Sequence, residues 1–529
     1  SHTRTSAAGV FGVVKLMGSQ THTRSWAEVY QAFKNPKVIA LLFLGLSAGI
    51  PILLIFSTLS VWLREAGVSR ATIGFFSWAA LGYAFKFIWA PLIDKLPVPI
   101  LSQILGRRRA WLLVSQFLII LSLLLMATSD PNQSLATLAT FAVFLGFSSA
   151  TQDIVIDAYR IEVADTDLQG IMSSAYIAGY RIGMLMAGAG ALELAGFFDG
   201  GNGYDLAAWS KTYMVMAIVM GIGVVTTLII SEPKSVTQND AHLKSSSDYF
   251  QFLGCFLCAT GAFIVVFLIS AGVVDIAKTY LTNDLFVASR LASFMVEAVR
   301  LSFAVSGAAL MGYILITTKF VPKHVITETY LGPFTDFFKR YGKTALLILA
   351  LVSTYRIADV LMGVMANVFY IDLGFEKQEI GRVSKGFGLV MTIVGGFMGG
   401  AFAVRYGIMK ALMVGAVLAA ASNLLFALLA KIGNDITVLM VVISADNLSA
   451  GIASAAFVAY LSSLTSTSFT ASQYALFSSI MVLLPKILAG YSGVMVESVG
   501  YEMFFIGTAA MGLPVLVLIY FVAISDRTV

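Results

Sequence analysis

Few residues in the apolar stretches of this 529-residue chain carry charge, and their types and spacing confine the chemistry it can do. The segment "SSATQDIVIDAYR" (148–160) closes a long apolar run yet holds Gln152, Asp153 and Asp157. Asp153 and Asp157 are four residues apart and share one face of a helix. Lys86 stands in "GYAFKFIWAPLIDK" with Tyr83 one turn before it, and Arg181 stands in "YIAGYRIGMLMAG" beside Tyr180. An ionisable side chain at the centre of a bilayer costs roughly 3 kcal/mol on insertion scales unless it pairs or meets water. Residues kept there carry protons, hold anions or pair with one another. Asp153 is the candidate proton carrier, because burial and a neighbouring ammonium act on a carboxyl in opposite senses. Lys86 is a candidate partner of Asp153 or of Asp157, in a pair that is either fixed or opened as the protein works. Asp157 and Arg160 are expected nearer the solvated end of the helix. Arg181 has few partners on its own helix and suits an anionic ligand. Gln152, Tyr83 and Tyr180 would add amide and aromatic contacts.

The second half of the chain carries a similar set. Arg356 and Asp359 in "STYRIADVLMGVMANVFY" are three apart, which predicts an ion pair along one helical face that Asn367 and Tyr370 continue. Lys385 in "GRVSKGFGL" and Lys486 in "SSIMVLLPKIL" are further candidate cations. Pro485, just before Lys486, removes a helical hydrogen bond. Asn447 in "SADNLSAGIASAAF", next to Asp446, is a candidate amide contact, and Tyr460 a candidate aromatic one. In "GLSAGIP", Gly45, Gly49 and Pro51 predict a flexible or kinked point within a span, whereas "MAGAGALELAG" and "GGFMGG" predict close helix approach. In "DKLPVPILSQILGRRRAW", Asp94 ends one helix and Arg107, Arg108 and Arg109 open the next.

Composition dictates the scaffold that holds these residues. The chain is 58% hydrophobic and 12% charged, against about 25% charged in soluble domains. Apolar runs recur that are long enough to cross a bilayer. The expected class is an all-α polytopic membrane protein, since a β-barrel would show short alternating segments instead. The net charge of +5 reflects basic residues in short loops, a topology signal rather than a nucleic-acid patch. Cys255 and Cys258 share one apolar segment, so neither a disulfide nor a zinc site is expected, and no metal or cofactor is called for. The first residues lack the pattern of a secretory signal.

Spans are expected near 38–63, 72–92, 110–128, 135–157, 170–195 and 212–231, then 250–272 and 291–317, then 344–370, 378–402, 410–430, 436–463, 473–496 and 502–524. These form a segment 1–37, a six-helix bundle 38–231, a linker 232–343 with two extra spans and a basic amphipathic stretch, a second six-helix bundle 344–524 and a tail 525–529: about 14 transmembrane helices in all. With the first segment inside, inner loops hold Lys95, Arg107–Arg109, Lys234, Arg405 and Lys410 among others, and outer loops hold fewer cations. Both termini are then expected to be cytoplasmic.

The two blocks read as one repeat. "GVSRATIG" (67–74) and "GFEKQEIG" (374–381) match at an offset of 374 − 67 = 307, and "SSAYIAGYRIG" and "SSIMVLLPKIL" match at 478 − 173 = 305. Duplicated bundles suit a transporter whose halves rock about a central site; channels more often use subunit symmetry. The loop with Asp94 and the three arginines resembles the one that latches helices on the cytoplasmic side in the major facilitator superfamily, with "AVRYGIMK" (403–410) as its reduced second copy.

Within that superfamily, "SAGIP", "TIGFFSW", "FKFIWAPLIDK", "GRRRAWLL", "SATQDIVIDA", "GYRIGML", "NLSAGIASAAFVA" and "FTASQYAL" resemble, in order, the AmpG-type anhydromuropeptide permeases of Gram-negative inner membranes. The resemblance implies proton-driven import of N-acetylglucosamine-1,6-anhydro-N-acetylmuramyl peptides from periplasm to cytoplasm, for cell-wall recycling and, in many species, β-lactamase induction. By position it carries over Gly49, Gln152 and Asp153, and also Lys86, Asp157 and Arg181. The extra spans within 232–343 depart from that pattern. The expected partners are the muropeptide, protons and membrane lipid, with the chain acting as a monomer. The rival readings are a carrier of the same branch for a siderophore or acetyl-CoA, and a membrane enzyme acting on lipid-linked wall precursors. Against the enzyme, the four histidines are scattered at 2, 22, 242 and 324.

Overall fold

The structure is a computed structural model that describes residues 26–68, 83, 85–163, 168–199, 204–234, 246–284, 289–489 and 492–525. No strand occurs among the described residues. By length and composition, 11 helices among them can cross a membrane. The expected span 72–92 falls largely outside the described residues. The run 291–317 lies in the 29-residue helix Ser289–Thr317. The run 473–496 begins in the helix Thr470–Ala489, with Pro485 inside it, and residues 490 and 491 lie outside the described ones.

The chain forms two compact units, one of residues 1–236 with 337–529 and one of residues 237–336. In the first unit, the first half contains α1 (Pro36–Ile55), α2 (Ser57–Glu65), α3 (Ala90–Lys95), α4 (Arg107–Ala127), α5 (Leu135–Val163), α6 (Gln169–Leu185) and α7 (Leu206–Ile229). In the second unit, α8 (Ser246–Ile269) packs on α9 (Ser289–Thr317). The second half of the first unit then supplies α10 (Thr344–Thr354), α11 (Ile357–Asp372), α12 (Gly388–Tyr406), α13 (Ile408–Ile432), α14 (Ile436–Leu464), α15 (Thr470–Ala489) and α16 (Ser492–Ser525).

The duplication shows in the backbone. Gly67 and Gly374 end equivalent helices at φ +83° and +85°, where a side chain would be strained. Gly106 and Gly407, 407 − 106 = 301 residues apart, precede α4 and α13 at φ 89° ψ 164° and φ 92° ψ 156°.

Close helix contact explains the glycines of "GLSAGIP". A Cβ on Gly45 would lie 2.2 Å from the Tyr176 carbonyl oxygen, and one on Gly49 would lie 2.1 Å from that of Tyr180. α1 and α6 thus cross backbone to backbone, and α1 stays helical through Pro51 to Ile55. Gly45 and Gly49 are tight packing points, and the span breaks past Pro51, at Phe56 (φ −101°, ψ −92°) between α1 and α2. Around it, Ile50, Leu54, Leu59, Trp62, Leu123, Leu145, Trp209 and Tyr213 form the core of the first half. Two clusters fill the second half, one around Tyr355, Phe457 and Phe477, the other around Phe369, Phe426 and Phe505.

In the second unit the Arg300 guanidinium donates to the Phe267 carbonyl through Nε at 3.0 Å and Nη2 at 2.6 Å, and lies 3.7 Å from the Phe267 ring. It caps the Phe267 carbonyl in the last turn of α8, a favourable place for a cation.

Candidate functional site

The central carboxylates project from α5, whose second half is almost wholly buried. The Gln152 Oε1 accepts from Ser47 Oγ of α1 at 3.0 Å. Its Nε2 and the Asp153 Oδ1 are buried with no hydrogen-bond partner among the described residues. Buried polar atoms are nearly always satisfied, and these two neighbours are exceptions, as are both amide atoms of Asn423 in the second half. Nearby, the Tyr83 and Ser149 hydroxyls share a hydrogen bond of 2.5 Å. Tyr180 feels the charges of Asp153, Asp157 and Arg181. Tyr176, one turn before Tyr180 with the rings 6.0 Å apart, joins this group. The spacing of the two tyrosines in "SSAYIAGYRIG" was the signal for it.

Lys86 does not sit in a regular helix. It opens a three-residue 3-10 turn, Lys86–Ile88, before α3, which begins with Pro91 in its first turn. Its ammonium lies 3.7 Å from Asp157 Oδ2, an ion pair longer than a hydrogen bond. Asp153 feels the Lys86 charge but makes no ion pair with it. The partner is therefore Asp157, which is buried, contrary to its expected place at a solvated edge. Arg160 corrects that expectation further. It is 0% exposed, and it donates to Asp157 Oδ1 at 3.2 Å, Ser173 Oγ at 3.0 Å and Ser462 Oγ at 2.6 Å, with its guanidinium 5.1 Å from the Tyr474 ring. Ser462 and Tyr474 belong to α14 and α15, so the second half covers this end of α5.

The same end carries a second cross-connection. The Arg108 guanidinium is fully buried between Asp94 Oδ1, at 2.9 Å, and Glu162 Oε1, at 2.5 Å. Asp94 also accepts from the first residues of α15: Ala471 N at 3.0 Å, Ser472 N at 2.8 Å and Ser472 Oγ at 2.7 Å. A carboxylate of one half thus caps a helix of the other, where N–H groups are otherwise unpaired. Glu162 adds an accepted hydrogen bond from the Thr470 hydroxyl. Burial alone would raise the Asp94 pKa, but Arg108 and the Ser472 hydroxyl outweigh it and hold the carboxyl below its usual range.

The neighbouring arginines have other tasks. Arg107 donates to the Asp94 carbonyl. Arg109 donates to the carbonyls of Thr227 at 3.1 Å and Leu228 at 2.8 Å, which closes the C-terminus of α7. The Glu232 carboxylate accepts from Arg108 N at 2.8 Å and Arg109 N at 3.1 Å, capping α4. Burial raises the Glu232 pKa against those bonds. Glu162 and Glu232 were missed in the sequence because acids at span ends read as solvated.

Glycines let the halves meet here. A Cβ on Gly400 of α12 would lie 2.1 Å from Ser174 Oγ and 2.7 Å from the Gly170 carbonyl oxygen of α6. Ser174 Oγ also donates to the Gly396 carbonyl at 2.6 Å.

Arg181 is exposed and within range of the Arg356 charge from the second half. Neither makes an ion pair or a side-chain hydrogen bond among the described residues. The expected Arg356–Asp359 ion pair does not form. The helix breaks at Tyr355–Arg356 between α10 and α11, so the shared face on which that pair depended is absent. Asp446 feels the charge of Asp359, and Ser422 Oγ donates to Asp446 Oδ1 at 3.4 Å. Asn447 donates to the Ile443 carbonyl at 2.9 Å and accepts from Thr392 Oγ1 at 2.8 Å, so it joins α12 to α14. Tyr460 is packed in the core around Tyr355 and Phe457. Lys385 lies on a π-helical turn, Gly381–Phe387, and Lys486 on α15; their side chains are outside the described ones.

Residues 37–197 match the family model described as acetyl-coenzyme A transporter 1. AmpG 4 of Rickettsia felis, named as a transporter, is 30% identical over 495 residues, covering 93% of this chain and 98% of that protein. The anhydromuropeptide permease of Escherichia coli strain K12 is 28% identical over 494 residues, covering 93% of this chain and 81% of that one. Among solved structures, FucP of the major facilitator superfamily, crystallised in an outward conformation, superposes with a TM-score of 0.59 at 10% identity, over 93% of this chain and 99% of that one. That likeness fixes the fold as a major-facilitator one. On its full-length similarity to these relatives, the chain belongs to the AmpG family of transporters.

Proposed function

We propose that the chain is a proton-driven secondary transporter, not an enzyme, that imports GlcNAc-1,6-anhydroMurNAc peptides from periplasm to cytoplasm for cell-wall recycling, and so feeds β-lactamase induction. It works as a monomer in the inner membrane by alternating access between a bundle 38–231 and a bundle 344–524. The end that carries Asp94 and Arg108 faces the cytoplasm with both termini, as the excess of Lys and Arg in its loops suggests.

The observation that carries this reading is the pair of unsatisfied buried atoms on Gln152 and Asp153. Asp153 takes up the proton, with Lys86 and Asp157 balancing its charge. The inside-negative potential opposes entry of an anionic peptide by about 2.3 kcal/mol per charge per 100 mV, and a cotransported proton offsets that. Arg181 holds a carboxylate of the cargo, with Gln152, Tyr83, Tyr180 and Asn447 against its sugars and amides. Lys385, Lys486 and Tyr460 are further contacts of the expected set. Gly49, Pro51, Asp94, Arg107–Arg109, Arg356 and Asp359 serve the conformational change.

A second reading, an acetyl-CoA carrier, is favoured by the family model over residues 37–197. Competition separates the two. In proteoliposomes with an imposed proton gradient, uptake of labelled anhydromuropeptide is expected to be blocked by unlabelled anhydromuropeptide and untouched by acetyl-CoA. Displacement by acetyl-CoA alone would decide for the second reading.

A further inference from the structure

Arg160 is the residue that the expected chemistry left unused. It is fully buried, its Asp157 contact comes from its own helix, and three of its four neighbours reach beyond that helix. Asp157 is shared: Oδ2 faces the Lys86 ammonium at 3.7 Å while Oδ1 accepts from Arg160 at 3.2 Å. Asp153 stands one turn away on the same face. An unbroken chain of contacts therefore runs from Lys86 through Asp157 and Arg160 to Ser462 and Tyr474 in the opposite half.

The geometry points to Arg160 as a positioning residue that ties the charge of the central carboxylates to closure of the Asp94 end. The Asp157 carboxylate holds the guanidinium extended toward α14 and α15, and the halves are pinned together. When the balance of charge among Lys86, Asp153 and Asp157 shifts, Asp157 holds Arg160 less firmly and the contact to Ser462 is released. The other groups facing this cluster are Tyr83, Tyr176 and Tyr180 from the first half and Tyr474 from the second. This connection is separate from the one between Asp94 and Ser472, since the two share no side chain. It rests on alternating access between the halves and does not depend on which cargo is carried.

Cysteine accessibility tests it without any cargo. Ala403 on α12 is buried where α12 meets Gly170 of α6. With Cys255 and Cys258 replaced by serine, Ala403→Cys in nanodiscs reacts with a bulky maleimide only when this end opens. Asp157→Asn and Arg160→Gln should each raise the labelling rate roughly tenfold or more, the scale of a lost hydrogen bond to a charged group. The double variant should label no faster than Arg160→Gln alone, because both remove one connection. Ser462→Ala with Tyr474→Leu leaves Arg160 in place and should raise labelling in the same direction, which carries the test if Arg160→Gln does not fold. Asp94→Asn is the positive control for opening. Unchanged labelling in the Ser462/Tyr474 variant while Asp94→Asn opens the end would overturn the proposal. So would effects of Asp157→Asn and Arg160→Gln that multiply.

Discussion

Asp94 and Ser472 are joined by two hydrogen bonds across 378 residues of chain: Asp94 Oδ2 accepts from the Ser472 amide at 2.8 Å and from its hydroxyl at 2.7 Å. One carboxylate thus serves as ion-pair partner of Arg108 and as cap of α15. The first role stays within the first half, and the second exists only while the halves are together.

Removing that charge should therefore favour opening. Asp94→Asn leaves Arg108 buried with Glu162 alone and weakens the cap. Breaking a buried pair costs about 3–5 kcal/mol, and the part specific to the closed state moves the equilibrium by an order of magnitude or more. Spin-label distances between α3 and α15 check this, with a longer-distance population expected in the variant.

The pH dependence of closure follows in sign. The Asp94 pKa is lowered in the closed state, because Arg108 and Ser472 outweigh burial. Arg108 stays with Asp94 when the halves part, so only the Ser472 bonds make the ionised carboxyl favour closure. That contribution is present above the open-state pKa and is lost as pH falls through the lower closed-state one. The same distances should stay short from neutral pH down to about 4 and lengthen only in stronger acid. Opening that tracks a midpoint near neutral would need another group.

Close helix contact at Gly49 gives a stability test. Gly49→Val must push α1 from the Tyr180 carbonyl, 2.1 Å from the position of the added Cβ, at a cost of about 1–3 kcal/mol for overpacking. Gly221→Ala on α7 meets nothing within 4 Å and should be neutral or slightly stabilising. Melting of the two purified variants in detergent should separate them clearly.

Arg181→Gln should weaken cargo binding more than turnover. A lost hydrogen bond between charged groups costs about 1.5–3 kcal/mol, which is roughly tenfold or more in KM with kcat little changed. Equal loss in both parameters would place Arg181 in the conformational step.

The sequence made the charged residues legible because apolar surroundings make each of them costly, and that logic located Asp153, Lys86, Asp157 and Arg181. It did not reveal partners drawn from the other half. Arg160 read as an edge residue because Ser462 and Tyr474, which cover it, lie some three hundred positions away. The Arg356–Asp359 pair failed because the break at Tyr355–Arg356 carries no glycine or proline to announce it. Gly45 and Gly49 were visible, but a glycine that permits flexibility and one that permits contact look the same until the neighbouring Tyr176 and Tyr180 carbonyls are in place. The repeat was legible from Gly67 and Gly374, whose left-handed conformations only glycine adopts readily.

Asp153 is proposed to couple proton movement to cargo entry. Labelled anhydromuropeptide uptake into proteoliposomes, with and without an inward proton gradient, tests it most directly when wild type and Asp153→Asn are compared. Wild type should accumulate cargo and lose that accumulation with the gradient, whereas Asp153→Asn should show only gradient-independent equilibration. Full gradient-driven accumulation in Asp153→Asn would contradict it.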